Sequence, residues 1–243
     1  MNSSIDEITR QGGKKPSRKE TTLNPPPKTE RSTIGVTSSY ILNKRYSDEE
    51  KKDKWYVLRI RYNHDEDAYR ELLSAQISKV YFATHQVVKL VHGKRKKIKA
   101  PLLPGLLFAF SSRKNLDYFM FGNSPMAEHV RYYRNRFTGK DEHGYNDPVT
   151  VPDREMDSFM KICDAENPYV QVIPPEKQQQ IRKGDRVRVI GGPFKDVIGR
   201  TAIVKRQRCV LVELQGICSI STAFITKALL VPLPTNDKSN DEV

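Results

Sequence analysis

The sequence predicts an α+β fold, an antiparallel sheet carrying helices followed by a small β-barrel. Three observations predict it. From Lys54 to about Ala165, β-rich runs alternate with amphipathic helical patterns. From Ile181 to about Pro234 the pattern is short strands separated by turns, with no helical period. Between them, residues 166–180 are rich in proline and glutamine without apolar periodicity, as in an interdomain linker.

The first strand is Trp55-Tyr56-Val57-Leu58-Arg59-Ile60, with Leu58 and Ile60 on one face. After a turn at Asn63-His64, the acids Asp65, Glu66 and Asp67 open a helix whose Ala68, Leu72 and Leu73 form its apolar stripe. Acids in a first turn complement the helix dipole. Val80 to Phe82 and Val87 to Val91 read as strands, and Gly93 can take the positive φ of a tight turn. The apolar run Leu102 to Phe110 suits a central strand. Ser111 or Ser112 then caps a helix with Leu116, Phe119 and Met120 inward and Gly122 near its end. A strand runs through Val130 to Phe137. Asp153 is expected to cap a last helix whose Met156, Phe159, Met160 and Cys163 share one face.

The ends read differently. Residues 1–53 hold 11 Lys or Arg against 8 Asp or Glu and few apolar residues, so a disordered extension is expected. The tail 235–243 is polar and is expected to be loose.

Composition narrows the function classes. The 243 residues carry a formal charge of +13, which favours a polyanionic partner. No apolar run reaches the roughly 20 residues of a membrane span, and Met1 to Lys19 lacks a signal-peptide core. Cys163, Cys209 and Cys218 show no C-x-x-C spacing and read as small core residues, which points to a reducing cytoplasm. No paired carboxylates, metal cluster, nucleophile with its base or phosphate-binding loop stands out, so no catalytic residue, metal or cofactor is expected.

Two basic segments are candidates for phosphate contact. Lys94, Arg95, Lys96, Lys97 and Lys99 crowd a hairpin tip. They either contact nucleic-acid phosphates or block pairing at a sheet edge. Arg131, Arg134 and Arg136 alternate with Tyr132 and Tyr133, a pattern in which a tyrosine can stack on a base. The barrel region 182–234 adds 10 Lys or Arg against 3 Asp or Glu.

The tract Lys183 to Arg200 resembles the KOW motif of SH3-like barrels through Gly184, Val187, Val189, Gly191, Gly192, Pro193, Phe194 and Gly199. Its logic is local: Gly191-Gly192 reverses the chain, Pro193 fixes φ, and Phe194 closes one end of the barrel. In front of it, Trp55-Tyr56-Val57, Tyr81 to Val88, Pro101 to Phe108 and Val149 to Met156 resemble the N-terminal (NGN) domain of the NusG family in order and spacing. The resemblance spans about residues 54–234 and is nearest to specialised paralogues of the UpxY and RfaH kind, through Val130 to Phe137 and the long turn after it.

The resemblance implies a non-enzymatic, monomeric factor that binds RNA polymerase at the clamp coiled coil of its largest subunit. It also implies antitermination and processive transcription of long operons such as surface polysaccharide clusters. The matching polymerase surface is Tyr56, Phe82, Leu103, Pro104 and Leu106, with Leu103 and Leu106 replacing two aromatics of the common pattern. The alternative reading of Tyr56 and Phe82 is as core residues. Further partners implied are non-template DNA or nascent RNA, and, through the barrel, Rho or a small-subunit ribosomal protein. A ribosome-associated KOW protein that binds RNA is the alternative.

Overall fold

A computed structural model describes residues 45–75, 77–122, 124–135, 140 and 144–234 of the chain. The expectations for residues 1–44, Arg136 and the tail 235–243 lie outside the described residues. The last residues of the expected extension form a short helix, α1 (Asp48–Lys51). Ser47 accepts from Glu50 N and the Glu50 carboxylate accepts from Ser47 N, a reciprocal capping box.

The first sheet has the order β2-β5-β1-β6 and is antiparallel throughout. Its strands are β1 (Lys54–Ile60), β2 (Lys79–Tyr81), β5 (Leu106–Ser111) and β6 (Val130–Tyr132), with β7 (Thr150–Val151) also on β1. β6 ends at Tyr132, short of the expected strand to Phe137. The same edge of β1 is taken by β7 opposite Trp55 and Tyr56, which leaves β6 only Leu58 to Ile60.

Alternation along β1 divides the core. Tyr56, Leu58 and Ile60 face one side and pack with α2 (Asp65–Ser74) and α3 (Arg113–Phe121) through Ala68, Leu72, Leu116, Phe119 and Met120. Trp55 and Val57 face the other side with Phe108 and α4 (Asp153–Asp164), whose Met156, Phe159, Ile162 and Cys163 are buried. Ser112 caps α3 by accepting from Asn115 N, as one of the two expected serines. α4 begins differently from the expectation: Pro152 holds the N-cap, no side chain caps the helix, and Asp153 is its first residue. Proline's fixed φ pre-sets the helix entry, and the acid beside it still complements the dipole.

The second sheet, β13-β9-β10-β11-β12-β8, forms the barrel. Its strands are β8 (Gln171–Ile173), β9 (Lys183–Val189), β10 (Ile198–Val204), β11 (Gln207–Leu214), β12 (Cys218–Ser221) and β13 (Leu230–Pro232). Part of the stretch read as a linker is therefore structured: β8 pairs with β12, and α5 (Pro175–Gln178) follows it. Ile173 and Ile181 close a small core with Ala202, Cys209 and Leu211. The pairing partner that orders this stretch lies some 50 residues downstream, so no local pattern marks it.

Barrel and sheet share one core. Val187, Val189, Phe194, Val197, Val210, Val212 and Leu214 join the cluster that holds Trp55, Phe108 and Phe159. α4 thus lies between the first sheet and the barrel.

Candidate functional site

The basic hairpin forms a two-stranded ribbon of its own, β3 (Thr84–Val91) with β4 (Lys94–Pro101), paired in unbroken register from Thr84↔Pro101 to Val91↔Lys94. His92 and Gly93 turn the chain with φ of 50° and 74°, the left-handed pair of a two-residue hairpin turn whose twist matches the strands. The segment holds six cations, Lys89, Lys94, Arg95, Lys96, Lys97 and Lys99, and no acid. All six are exposed.

Register sorts these side chains. Lys89 faces its partner Lys96 on one side of the ribbon. On the other, Leu90 pairs with Arg95, Val88 with Lys97 and Gln86 with Lys99. Val88 and Leu90 are 63% and 72% exposed, so that face alternates apolar and cationic groups. The base of the ribbon is held by Glu166, which accepts from Gln86 Nε2 at 2.8 Å and pairs with Lys99 at 3.4 Å. Lys99 is thereby tied to the body of the protein, whereas Arg95, Lys96 and Lys97 sit near the tip without an ion pair among the described residues.

The second basic segment is built differently. Arg131 is exposed, but Tyr132 is buried and donates through its hydroxyl to Asp117 Oδ1 at 2.7 Å. Asp117 is fully buried, accepts from Arg113 Nε at 3.1 Å, and accepts from the Tyr46 hydroxyl at 3.2 Å. The Arg113 guanidinium lies 4.6 Å over the Tyr132 ring. Burial, with Asp117 beside it, raises the Tyr132 pKa well above 10 and keeps the phenol protonated. Tyr132 is therefore a core residue and offers no ring face to a base. Arg134 is half-buried, lies 4.6 Å over the Tyr145 ring and donates to the Asn146 carbonyl, so it braces the turn beneath it. Tyr133 is half-buried and its hydroxyl donates to the Gly216 carbonyl at 3.4 Å, linking sheet to barrel.

The apolar residues expected on one surface are divided between the two faces of the sheet. Tyr56 is 4% exposed in the core under α2 and α3, where burial pushes its pKa up to about 12. Phe82 is half-buried on that same side, with its ring 5.9 Å from Tyr69. Leu103 is 8% exposed and belongs to the core shared with the barrel, and half-buried Leu106 packs against that core. Pro104 is exposed in the turn before β5, where Gly105 N donates to Asp65 Oδ1 at 2.9 Å.

A groove that the sequence does not announce lies between the first sheet and α4. Trp55 and Phe110 floor it, with ring centroids 5.3 Å apart, and Tyr81, Met160, Asp153 and Asp157 line its sides. Lys79 stands over the Phe110 ring at 5.4 Å. The alternation Trp55, Val57 could have marked this face, but the side it shares with α4 depends on tertiary packing.

The residues of the expected barrel motif lie in and around β9 and β10. Val187 and Val189 are buried, Phe194 is 3% exposed in the shared core, and Gly192 turns the chain at φ 76° before exposed Pro193. A Cβ at Gly199 would collide with the backbone of Leu211, so the close approach of β10 and β11 requires glycine there. Gly184 packs against Thr201, and Gly191 lies beside Leu229. The three cysteines are buried and free.

Among the described residues, no group of three or more His, Cys, Asp or Glu is placed to hold a metal ion, and no helix is long and apolar enough to cross a membrane. No curated protein matches the chain. A solved structure described as showing domain interaction in Thermotoga maritima NusG is similar at 19% identity and a TM-score of 0.35, covering 76% of this chain and 99% of that one. Residues 53–160 match the family model described as NusG, transcription termination factor nusG. That match begins one residue before β1 and ends within α4, so the likeness to the NusG family falls on the first sheet and its helices.

Proposed function

We propose that the chain is a transcription elongation factor that binds RNA polymerase through its NusG-type domain and promotes antitermination. The family match over residues 53–160 carries this reading. The polymerase-facing surface is assigned to exposed Pro104 with half-buried Leu106 beside it, while Phe82 lies on the opposite face of the sheet and is left outside it. Tyr56 and Leu103 support it from within the core.

The basic ribbon supplies the nucleic-acid contact, through Arg95, Lys96 and Lys97 at its tip. Six cations without an acid favour a phosphate backbone, and counterion release drives such binding. A two-stranded ribbon is also narrow enough to enter a major groove. Service of long operons as an UpxY-like paralogue, and recruitment of Rho or a small-subunit ribosomal protein by the barrel, complete the proposal.

The test is retention of the chain on core RNA polymerase, followed by transcription through a terminator. Retention with increased read-through is expected. Co-sedimentation with ribosomes in the absence of polymerase, and no polymerase retention, would replace this reading with that of a ribosome-associated protein.

A further inference from the structure

Strand register gathers three arginines on the outer face of the barrel. Arg186 in β9 stands directly opposite Arg200 in β10, and Arg188 stands opposite Ile198, two residues along the same face. Directly opposed side chains in an antiparallel pair have Cβ atoms about 4.5–5.5 Å apart, and diagonal neighbours are about 7–8 Å apart. Val187 and Val189 point into the barrel and are buried, which fixes the three arginines outward. Arg188 and Arg200 are exposed and Arg186 is half-buried.

None of the three has an ion-pair partner among the described residues. Arg200 Nη1 lies 3.4 Å from the Gly184 carbonyl, a neutral acceptor. The barrel's acids are few. Of Asp185, Asp196 and Glu213, the last is already held by Lys183 at 2.6 Å. Like charges placed directly opposite destabilise a sheet. The Arg186–Arg200 pairing therefore costs stability in the free protein, and an anion laid across it removes that cost.

We propose that Arg186, Arg188 and Arg200 form a nucleic-acid site, separate from the ribbon, that binds the phosphodiester backbone of a single strand lying across β9 and β10. The guanidinium fork matches phosphate oxygens bidentately, and three forks on one exposed face engage neighbouring phosphates rather than one isolated anion. Backbone contacts of this kind position a strand without reading its bases. The site depends only on the barrel register and stands apart from the polymerase reading.

The test uses the full chain, with a labelled single-stranded RNA and a DNA of the same sequence, over a salt series. In the R186Q/R200Q variant, affinity is expected to fall roughly tenfold, and the salt slope to shrink by about 1.4, since each phosphate contact on a single strand contributes about 0.7. Repeating the pair in a chain carrying R95Q, K96Q and K97Q isolates the barrel from the ribbon. Loss on both strands, or on one alone, supports the site, and the second outcome names the strand. The double variant should also melt at the same or a higher temperature at low salt, a sign that a damaged fold could not produce. Unchanged affinity and slope overturn the proposal, as does equally tight binding of polyglutamate. Polymerase retention of the same variant, measured in parallel, tests the elongation-factor reading alone.

Discussion

Ser158 in α4 accepts a hydrogen bond from the backbone N–H of Ile198 in β10 at 3.1 Å, and this bond stitches the barrel to the helix that packs on the first sheet. Ser158 is buried, so water cannot replace it as a partner. In S158A the Ile198 amide is left without its acceptor at a packed surface, at a cost of about 1–3 kcal/mol. Hydrogen exchange at Ile198 should accelerate markedly while amides in β6 keep their protection. Unchanged exchange at Ile198 would mean that the barrel is held without this bond.

Phe159 sits one residue further along α4, fully buried, with its ring 5.2 Å from Phe108 and 6.2 Å from Tyr81. Because sheet and barrel share this core, F159A should destabilise both together, by about 3–5 kcal/mol. Denaturant unfolding followed by Trp55 fluorescence and by amides of β11 should give coincident transitions. Separate transitions would show the two to be independent folding units.

Asp117 anchors the polar network beneath α3. D117N removes the charge opposite Arg113, and breaking a buried pair from one side costs about 3–5 kcal/mol. Tyr46→Phe deletes only one hydroxyl donor to the same carboxylate and should cost about 1 kcal/mol. Thermal or urea melts of the two variants check that order.

Burial pushes the Cys163 thiol up to about 12 from its ordinary 9.0, and does the same to Cys218. A pKa raised by folding gives stability that is complete below the unfolded value and is lost as pH rises through the folded one. Stability should therefore be level up to pH 9 and decline between 9 and 12, because the unfolded thiols ionise first. Tyr132 adds to the decline above 10. Urea midpoints across that range test the sign, and C163A/C218A should flatten the fall.

The ribbon cations are exposed, so R95Q/K96Q/K97Q should change stability by no more than about 0.5 kcal/mol. Duplex DNA binding should weaken, with the salt slope reduced by about 0.9 for each phosphate that the variant no longer neutralises. Filter binding at several salt concentrations measures both.

By itself the sequence determined whatever depends on neighbours along the chain. Alternation places Leu58 and Ile60 together, the 3.6-residue period puts Met156, Phe159 and Cys163 on one helix face, and Ser112 caps α3 because its oxygen reaches Asn115 N. The left-handed turn at Gly93 was legible for the same reason. Tertiary structure alone decided what those faces meet. It put the two halves of β1's edge against different strands, drew Gln171–Ile173 into the barrel sheet, and buried Tyr132 against Asp117. It also set Arg186 opposite Arg200 and fitted one core between sheet and barrel. These partners are distant in sequence, and the apolar and charged residues that join them obey the same periodicity whichever surface they meet.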